Sequence, residues 1–334
     1  MNSDGAILVI GPSWVGDMVM AQALFKTLQQ HHPQTPIDLL APAWTLPLVS
    51  RMPEIRQGIP LPAGHGELAL GTRFRLGKSL RGRYRQAILL PNSLKSALLP
   101  WFAAIPVRTG FLGEWRWGLL NDIRPLDKTK LKRTVDRFVA LGLPSGTPFP
   151  DSIPLPALVA TPQAGAALLQ QYDPSGQGPL LALCPGAEYG PAKRWPAGHF
   201  AALAQTRIRE GWRVVVLGSG KEQTLGDEIL AGLGPHALNL AGKIPLEQAV
   251  DLLALAEAVV TNDSGLMHVA AALDRPGVAI FGSSDPGHTP PLGGRLRVVS
   301  LGLPCAPCFK RHCPDGPKAR CLEEITPRMI LEAL

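Results

Sequence analysis

Short apolar runs alternate with amphipathic stretches along this chain, and the pattern stops at a proline-dense segment and then begins again. The runs are too short for buried helices and too continuous for half-exposed strands. They read as strands of parallel sheets covered on both faces. In the first half, residues 6–10, 37–40 and 87–90 carry the strand pattern, and 17–30 and 131–141 the helical one. In the second half the strands are 180–183, 213–217, 258–261 and 277–281, with helices over 197–209, 223–230, 246–255 and 265–273. Alternation of this kind builds repeated βα units. Residues 46–85 are irregular and rich in Gly, Pro and Arg, while 144–162 are dense in proline and lack a hydrophobic stripe, which makes them the boundary. A chain of 334 residues is long for one core, and a hydrophobic content of 46% suffices for two. The expectation is an α/β protein with domains at 1–160 and 161–322 and a last helix within 323–334 free to return to the first domain.

The formal charge of +7 is uneven, because residues 1–160 carry a net +8 and the remainder a net −1. Arg73, Arg75, Lys78, Arg81, Arg83 and Arg85 crowd together, and no acid lies between Glu67 and Glu114. Such a run is ordinarily a solvated face. Its functional reading is an anionic partner: nucleic acid, a phospholipid surface or a phosphorylated acceptor. Aromatic residues are only 6% and no nucleic-acid-binding motif is present, which counts against nucleic acid. No apolar run reaches the roughly 18 residues of a membrane-spanning helix. The first ten residues lack the basic start and cleavage site of a signal peptide, so the expected location is the cytoplasm.

Four loops follow expected strands, where a fold of this kind places its ligands. The first, Gly11 to Asp17, opens a helix, but it fits neither G-x-G-x-x-G nor a P-loop. Asp17 there either complements the helix N-terminus or acts as a general base. The second loop, Cys184 to Pro196, contains Gly186 and the adjacent cations Lys193 and Arg194. Lys193 is placed to neutralise a diphosphate. In the third, Asp263 or Ser264 caps a helix whose first amides, at Ser264 and Gly265, are free for an anion, and His268 lies one turn on. The fourth, Phe281 to His288, forms the neighbouring wall. Neither G-x-S-x-G nor H-E-x-x-H occurs, so hydrolase and metalloprotease readings have no motif. Near the C-terminus, Cys305-x-x-Cys308 is a metal-like knuckle, and with Cys313 and Cys321 it supplies four thiols. The wide second spacing and a reducing cytoplasm rank structural thiols first, a structural zinc second and disulfides third.

The order VGD, PGAEYGPAKRWP, TNDSGLMHVAAAL, FGSSDPGHTPP and CAPCFKRHCP resembles the ADP-heptose:lipopolysaccharide heptosyltransferases, with the wording of heptosyltransferase II, from Ile7 to Leu334. The resemblance implies two facing Rossmann-like domains, the glycosyltransferase B arrangement, with an inter-domain cleft. It implies an inverting transfer of heptose from ADP-heptose to heptosyl-Kdo2-lipid A in lipopolysaccharide core synthesis. Asp17 then matches the base that deprotonates the acceptor, and Lys193 the lysine on the ADP diphosphate. Gly186, Glu222 on the ribose, Ile244 near adenine, Asp263, Ser264, Gly265 and His268 complete the donor site. No cofactor is implied for the chemistry. A carboxylate- and phosphate-rich acceptor at the inner membrane gives Arg73, Arg75, Arg81 and Arg83 a partner, and places the enzyme peripherally on that anionic surface. The rivals are heptosyltransferases I and III, and a nucleotide-sugar epimerase of the same fold, which leaves the basic stretch idle.

Overall fold

The computed structural model describes residues 5–64, 66–316 and 319–334, so Met1 to Asp4 of the N-terminal segment lie outside it. The chain divides into two compact units, Met1–Ala157 and Leu158–Leu334.

The first unit contains β1 (Ala6–Ile10), α1 (Val15–His31), β2 (Ile37–Pro42), α2 (Leu46–Val49), β3 (Gln57–Leu61), α3 (Leu70–Ser79), β4 (Tyr84–Leu89), α4 (Leu94–Phe102), β5 (Val107–Phe111), β6 (Asp122–Arg124) and α5 (Thr134–Gly142). All neighbouring strands are parallel, in the order β3-β2-β1-β4-β5-β6. β1 and β2 are buried along their whole length, as continuous apolar runs at a sheet centre must be. The stretch 46–85, expected to be irregular, holds α2, β3 and α3. β3 is an edge strand with no fully buried residue, and Ile59 and Leu61 pack against the core. A polar cluster fastens the chain there: buried Asp38 accepts hydrogen bonds from Arg56 Nε at 2.8 Å, Gln57 Nε2 at 2.6 Å and Tyr84 Oη at 2.7 Å.

The second unit repeats the plan with α6 (Pro162–Tyr172), β7 (Leu180–Cys184), α7 (Ala197–Arg209), β8 (Arg213–Val216), α8 (Gln223–Leu230), β9 (Ala237–Asn239), α9 (Leu246–Leu253), β10 (Ala258–Asn262), α10 (Gly265–Ala272), β11 (Gly277–Ile280), β12 (Leu296–Val299), α11 (Arg320–Glu323) and α12 (Pro327–Ala333). Its parallel sheet runs β12-β11-β10-β7-β8-β9. The helix α12, left free by the sequence to return to the first domain, sits in this unit: Ile330 is buried in its core and α12 packs on α7. The division falls inside the proline-dense segment. Gln22 donates to the Ala157 carbonyl at 2.9 Å and accepts its amide at 2.8 Å, whereas the next amide, Leu158, donates to Ala272 O at 3.0 Å. Among the described residues, no helix is long and apolar enough to cross a membrane.

Candidate functional site

Strand order in the second sheet reverses between β7 and β10, and crevices for ligands open at such a point, beyond the carboxyl ends of the strands. The loops after these two strands meet there. Asn262, the last residue of β10, donates to Pro185 O at 2.7 Å and accepts the Trp195 amide at 3.1 Å, fixing both ends of the β7 loop. Between these anchors Lys193 closes a short 3-10 turn, and its Nζ lies 2.5 Å from Asp263 Oδ2 and 5.3 Å from the Tyr189 ring centre. Asp263 is therefore engaged with a lysine and does not cap α10. Ser264 occupies the cap position in extended backbone, but its side chain makes no capping bond. The first amides of α10 are left without a side-chain cap, which suits an anion.

The loops after β8 and β9 adjoin the β7 loop. Glu222 is buried, and its Oε2 accepts the Ser219 amide at 2.9 Å and the Ser219 hydroxyl at 2.6 Å. A Cβ at Gly186 would stand 3.1 Å from Glu222 Cγ and Cδ, so the β7 loop lies closely against this side chain. The Gly242 amide donates to Gly218 O at 3.0 Å, which brings the loop bearing half-buried Ile244 to the loop bearing Ser219.

Three buried polar atoms here have no protein partner: His268 Nδ1, Ser283 Oγ and Ser284 Oγ. A native interior rarely leaves such groups unmatched unless a ligand or water completes them. Burial pushes the His268 imidazole down to about 4, with Asp263 opposing and Lys193 reinforcing the shift. The ring is thus neutral at ordinary pH, with one donor and one acceptor nitrogen.

The cysteine-bearing segment, distant in sequence, is fastened to these loops. Phe309 N donates to Ser283 O at 2.7 Å, Tyr189 Oη to Phe309 O at 2.6 Å, and Ala192 N to Arg311 O at 3.1 Å. Cys305, Cys308, Cys313 and Cys321 are free thiols. The Cys321 thiol is pushed up, first by burial and then by the charges of the other three. Among the described residues, no group of three or more His, Cys, Asp or Glu is arranged to hold a metal ion.

The first unit has its own switch point, between β1 and β4. A cavity of about 390 Å³ opens there, with Asp17, Arg73, Asn92, Lys95, Thr134 and Arg137 in its wall. Asp17 stands in the first turn of α1. Arg73 is buried, and its Nε donates to Leu68 O at 2.7 Å. Arg75, Arg81 and Arg83 are exposed instead, and Arg81 Nε donates to Phe102 O at 3.0 Å. The basic stretch is therefore split, with Arg73 turned inward, Arg85 half-buried and Arg75, Arg81 and Arg83 left outside.

Over residues 73–319, which include parts of both units, the chain matches the profile of glycosyltransferase family 9 (heptosyltransferase). It belongs to this family. Over 338 aligned residues the chain is 50% identical to lipopolysaccharide heptosyltransferase 2 of Salmonella typhimurium, covering 98% of this chain and 97% of that one. The protein of the same name from Escherichia coli K12 is 49% identical over the same shares. The solved structure of E. coli ADP-heptose lps heptosyltransferase II matches with a TM-score of 0.88 at 47% identity, over 98% of this chain and 97% of that one.

In this family 9 glycosyltransferase, Lys193, Asp263, Ser264, Gly265 and His268 gather at one crevice, with Gly186, Glu222 and Ile244 along its extension. Asp17 and Arg73 share the cavity of the other unit. Sequence reasoning placed the loops bearing Tyr189, Ser283 and Ser284 beside the site but did not single out these side chains. A Ser-Ser pair directly after a buried strand was the available signal for the last two. Nothing in the sequence marked Lys95 or Arg137, which reach the cavity from separate helices.

Proposed function

We propose that this glycosyltransferase moves L-glycero-D-manno-heptose from ADP-heptose onto the first heptose of the lipopolysaccharide inner core, heptosyl-Kdo2-lipid A, with inversion at the transferred carbon. The observation that carries the reading is Lys193 held by Asp263 beside the uncapped start of α10, in a chain that aligns end to end with enzymes of that name. Lys193 and the amides of Ser264 and Gly265 take up the charge that develops on the departing diphosphate. Asp263 and the neutral His268 face the heptose hydroxyls. Glu222 Oε1 accepts from the ribose, since Oε2 serves Ser219, and Ile244 packs on adenine.

Asp17 takes the proton from the acceptor hydroxyl as that oxygen bonds to the anomeric carbon and the bond to the diphosphate breaks. Asp17 and the donor loops belong to different units, so transfer requires both. Arg73, Lys95 and Arg137 hold the acceptor's carboxylates and phosphates around the same cavity. A lipid-linked acceptor of this kind keeps the enzyme at the anionic inner face of the inner membrane. The four C-terminal cysteines act as reduced structural thiols, and elemental analysis of untagged protein tests this: one zinc per chain overturns it. The function itself is tested with ADP-heptose and acceptors bearing no, one or two heptoses. Transfer only to the one-heptose acceptor is expected. Preference for the bare acceptor identifies heptosyltransferase I, and preference for the two-heptose acceptor identifies III.

A further inference from the structure

The loop between β5 and β6 exposes two tryptophans, Trp115 at 86% and Trp117 at 64% of their surface. The residue between them is turned the other way. Arg116 is fully buried, donating through Nη1 to Pro91 O at 2.8 Å and Ser96 Oγ at 3.2 Å, and through Nη2 to Asn92 Oδ1 at 3.2 Å and to Phe111 O. Burying a guanidinium is costly, and here Nη1 and Nη2 are met chiefly by carbonyls while Nε has no partner. Glu114 and Trp115 also adopt left-handed backbone, with φ of 42° and 56°. Non-glycine residues pay for that conformation, and it persists only where surrounding contacts enforce it. Glu114 Oε2 accepts the amide of Leu94, the first residue of α4, at 2.8 Å. The loop is thus pinned by a buried ionic group and a backbone strain whose joint result is to present two indoles to solvent.

The adjoining helices present the same chemistry. On α4, Leu94, Leu98 and Trp101 recur at the spacing of one helical face, outside the core. On α3, Leu70, Phe74 and Lys78 form a second stripe, with Lys78 Nζ 4.8 Å above the Phe74 ring. The two stripes touch: Phe74 and Phe102 lie edge to face at 5.2 Å, and Trp101 is 5.3 Å from Phe102. Exposed Arg75 and Arg83 flank them, in a stretch with no acid from Glu67 to Glu114. Exposed apolar surface of this kind marks a partner. Tryptophan interleaved with lysine and arginine is the composition of an interfacial contact with anionic lipid. A second copy of the chain would set cations against cations across a two-fold contact, which the bilayer avoids.

We propose that loop 112–121 and the outer faces of α3 and α4 form a bilayer-docking surface, in which Trp101, Trp115 and Trp117 enter the interfacial layer and Arg75, Lys78 and Arg83 bind anionic headgroups. The surface rests on the reading that the acceptor is lipid-linked, and it serves that acceptor directly. Arg116 bonds Pro91, Asn92 and Phe111, all of which line the cavity containing Asp17. Docking would therefore place the cavity wall at the membrane from which the acceptor's sugar projects. Arg75 and Arg83 belong to the lipid in this account, and Arg73 alone of the stretch to the acceptor sugar.

Flotation with vesicles of phosphatidylethanolamine and phosphatidylglycerol tests the surface, with phosphatidylcholine vesicles as the neutral control. The full-length chain should float with the anionic vesicles only. Trp115→Ser with Trp117→Ser should lower partitioning at least tenfold and reduce tryptophan quenching by brominated lipid. Neutralising Arg75, Lys78 and Arg83 to Gln should cost about fivefold per cation and remove most of the salt dependence. Both variants should retain turnover on a deacylated, water-soluble acceptor, which shows that they are folded. Unchanged flotation in both variants overturns the proposal. So does a wild type that ignores vesicles but forms a dimer which the tryptophan variant dissolves. A wild type that floats as described yet fails to use the soluble acceptor supports the docking surface and removes the heptose-transfer reading.

Discussion

Lys193 Nζ lies 2.5 Å from Asp263 Oδ2, so a donor diphosphate bound as proposed exchanges one ionic partner of the lysine for another. Lys193→Ala should weaken ADP about tenfold or more, because a charge-assisted contact to phosphate is lost. Asp263→Asn should leave ADP affinity close to wild type and erase the extra affinity of ADP-heptose over ADP, since its role lies with the sugar. Calorimetric titration with both nucleotides separates the two, and loss of ADP binding in Asp263→Asn would mean that it serves only to position the lysine. Asp17→Asn should retain ADP affinity and lose on the order of 10²–10⁴-fold in turnover, the usual share of a general base. Turnover within a few-fold of wild type returns Asp17 to a helix-start role. His268 carries a pH signature, because its imidazole is pushed down to about 4 while the unfolded chain titrates near 6.5. Between those values the unfolded state binds the extra proton, so stability is intact above about pH 6.5 and declines as pH falls toward 4, by about 3 kcal/mol for this group. Unfolding midpoints at pH 7.5 and 4.5 should differ less in His268→Gln than in the wild type. An equal difference in both proteins would place the titration elsewhere.

The helices α3 and α4 cross at Gly77, where a Cβ would stand 2.7 Å from Phe102 Cβ and 3.0 Å from Leu99 O. Gly77→Val should therefore separate them, lower the stability of the first unit by about 1–3 kcal/mol and weaken vesicle binding. ADP affinity should be untouched, since α3 and the donor loops belong to different units. An unchanged unfolding midpoint would show that the crossing has slack. These helices also mark the limit of what the sequence made legible. β1, β2, β7, β10 and β11 are buried end to end, so their apolar runs announced them directly. α3 turns Leu70 and Phe74 outward and buries Arg73 and Gly77, the reverse of an amphipathic core helix, so no periodic signal pointed to it. β3 has mostly exposed residues and hangs on a side-chain cluster formed with Asp38. At the site, Lys193 and Asp263 were legible because each follows a buried strand. Their pairing was not, since 70 residues separate them and only strand order makes them neighbours. Arg73 and the exposed Arg75 looked alike in sequence for the same reason: solvent exposure is a tertiary property.

Each unit has its own sheet and core, and the candidate donor residues all lie in the second. Two cores joined through a single proline-dense passage can unfold in separate steps, and one unfolding free energy then does not describe the chain. Calorimetry should resolve two transitions that answer to different perturbations. ADP at about 100 times its dissociation constant stabilises the unit that binds it by about 2.7 kcal/mol. For a unit of this size that raises its midpoint by roughly 5–10 °C. Gly77→Val should lower the other transition, and the ADP shift should survive both in that variant and in Asp17→Asn. Lys193→Ala should shrink the ADP shift and leave the Gly77-sensitive transition where it was. If ADP moved the transition that Gly77→Val lowers, the donor would be held by the first unit, and the assignment of Lys193, Asp263 and His268 to it would fail.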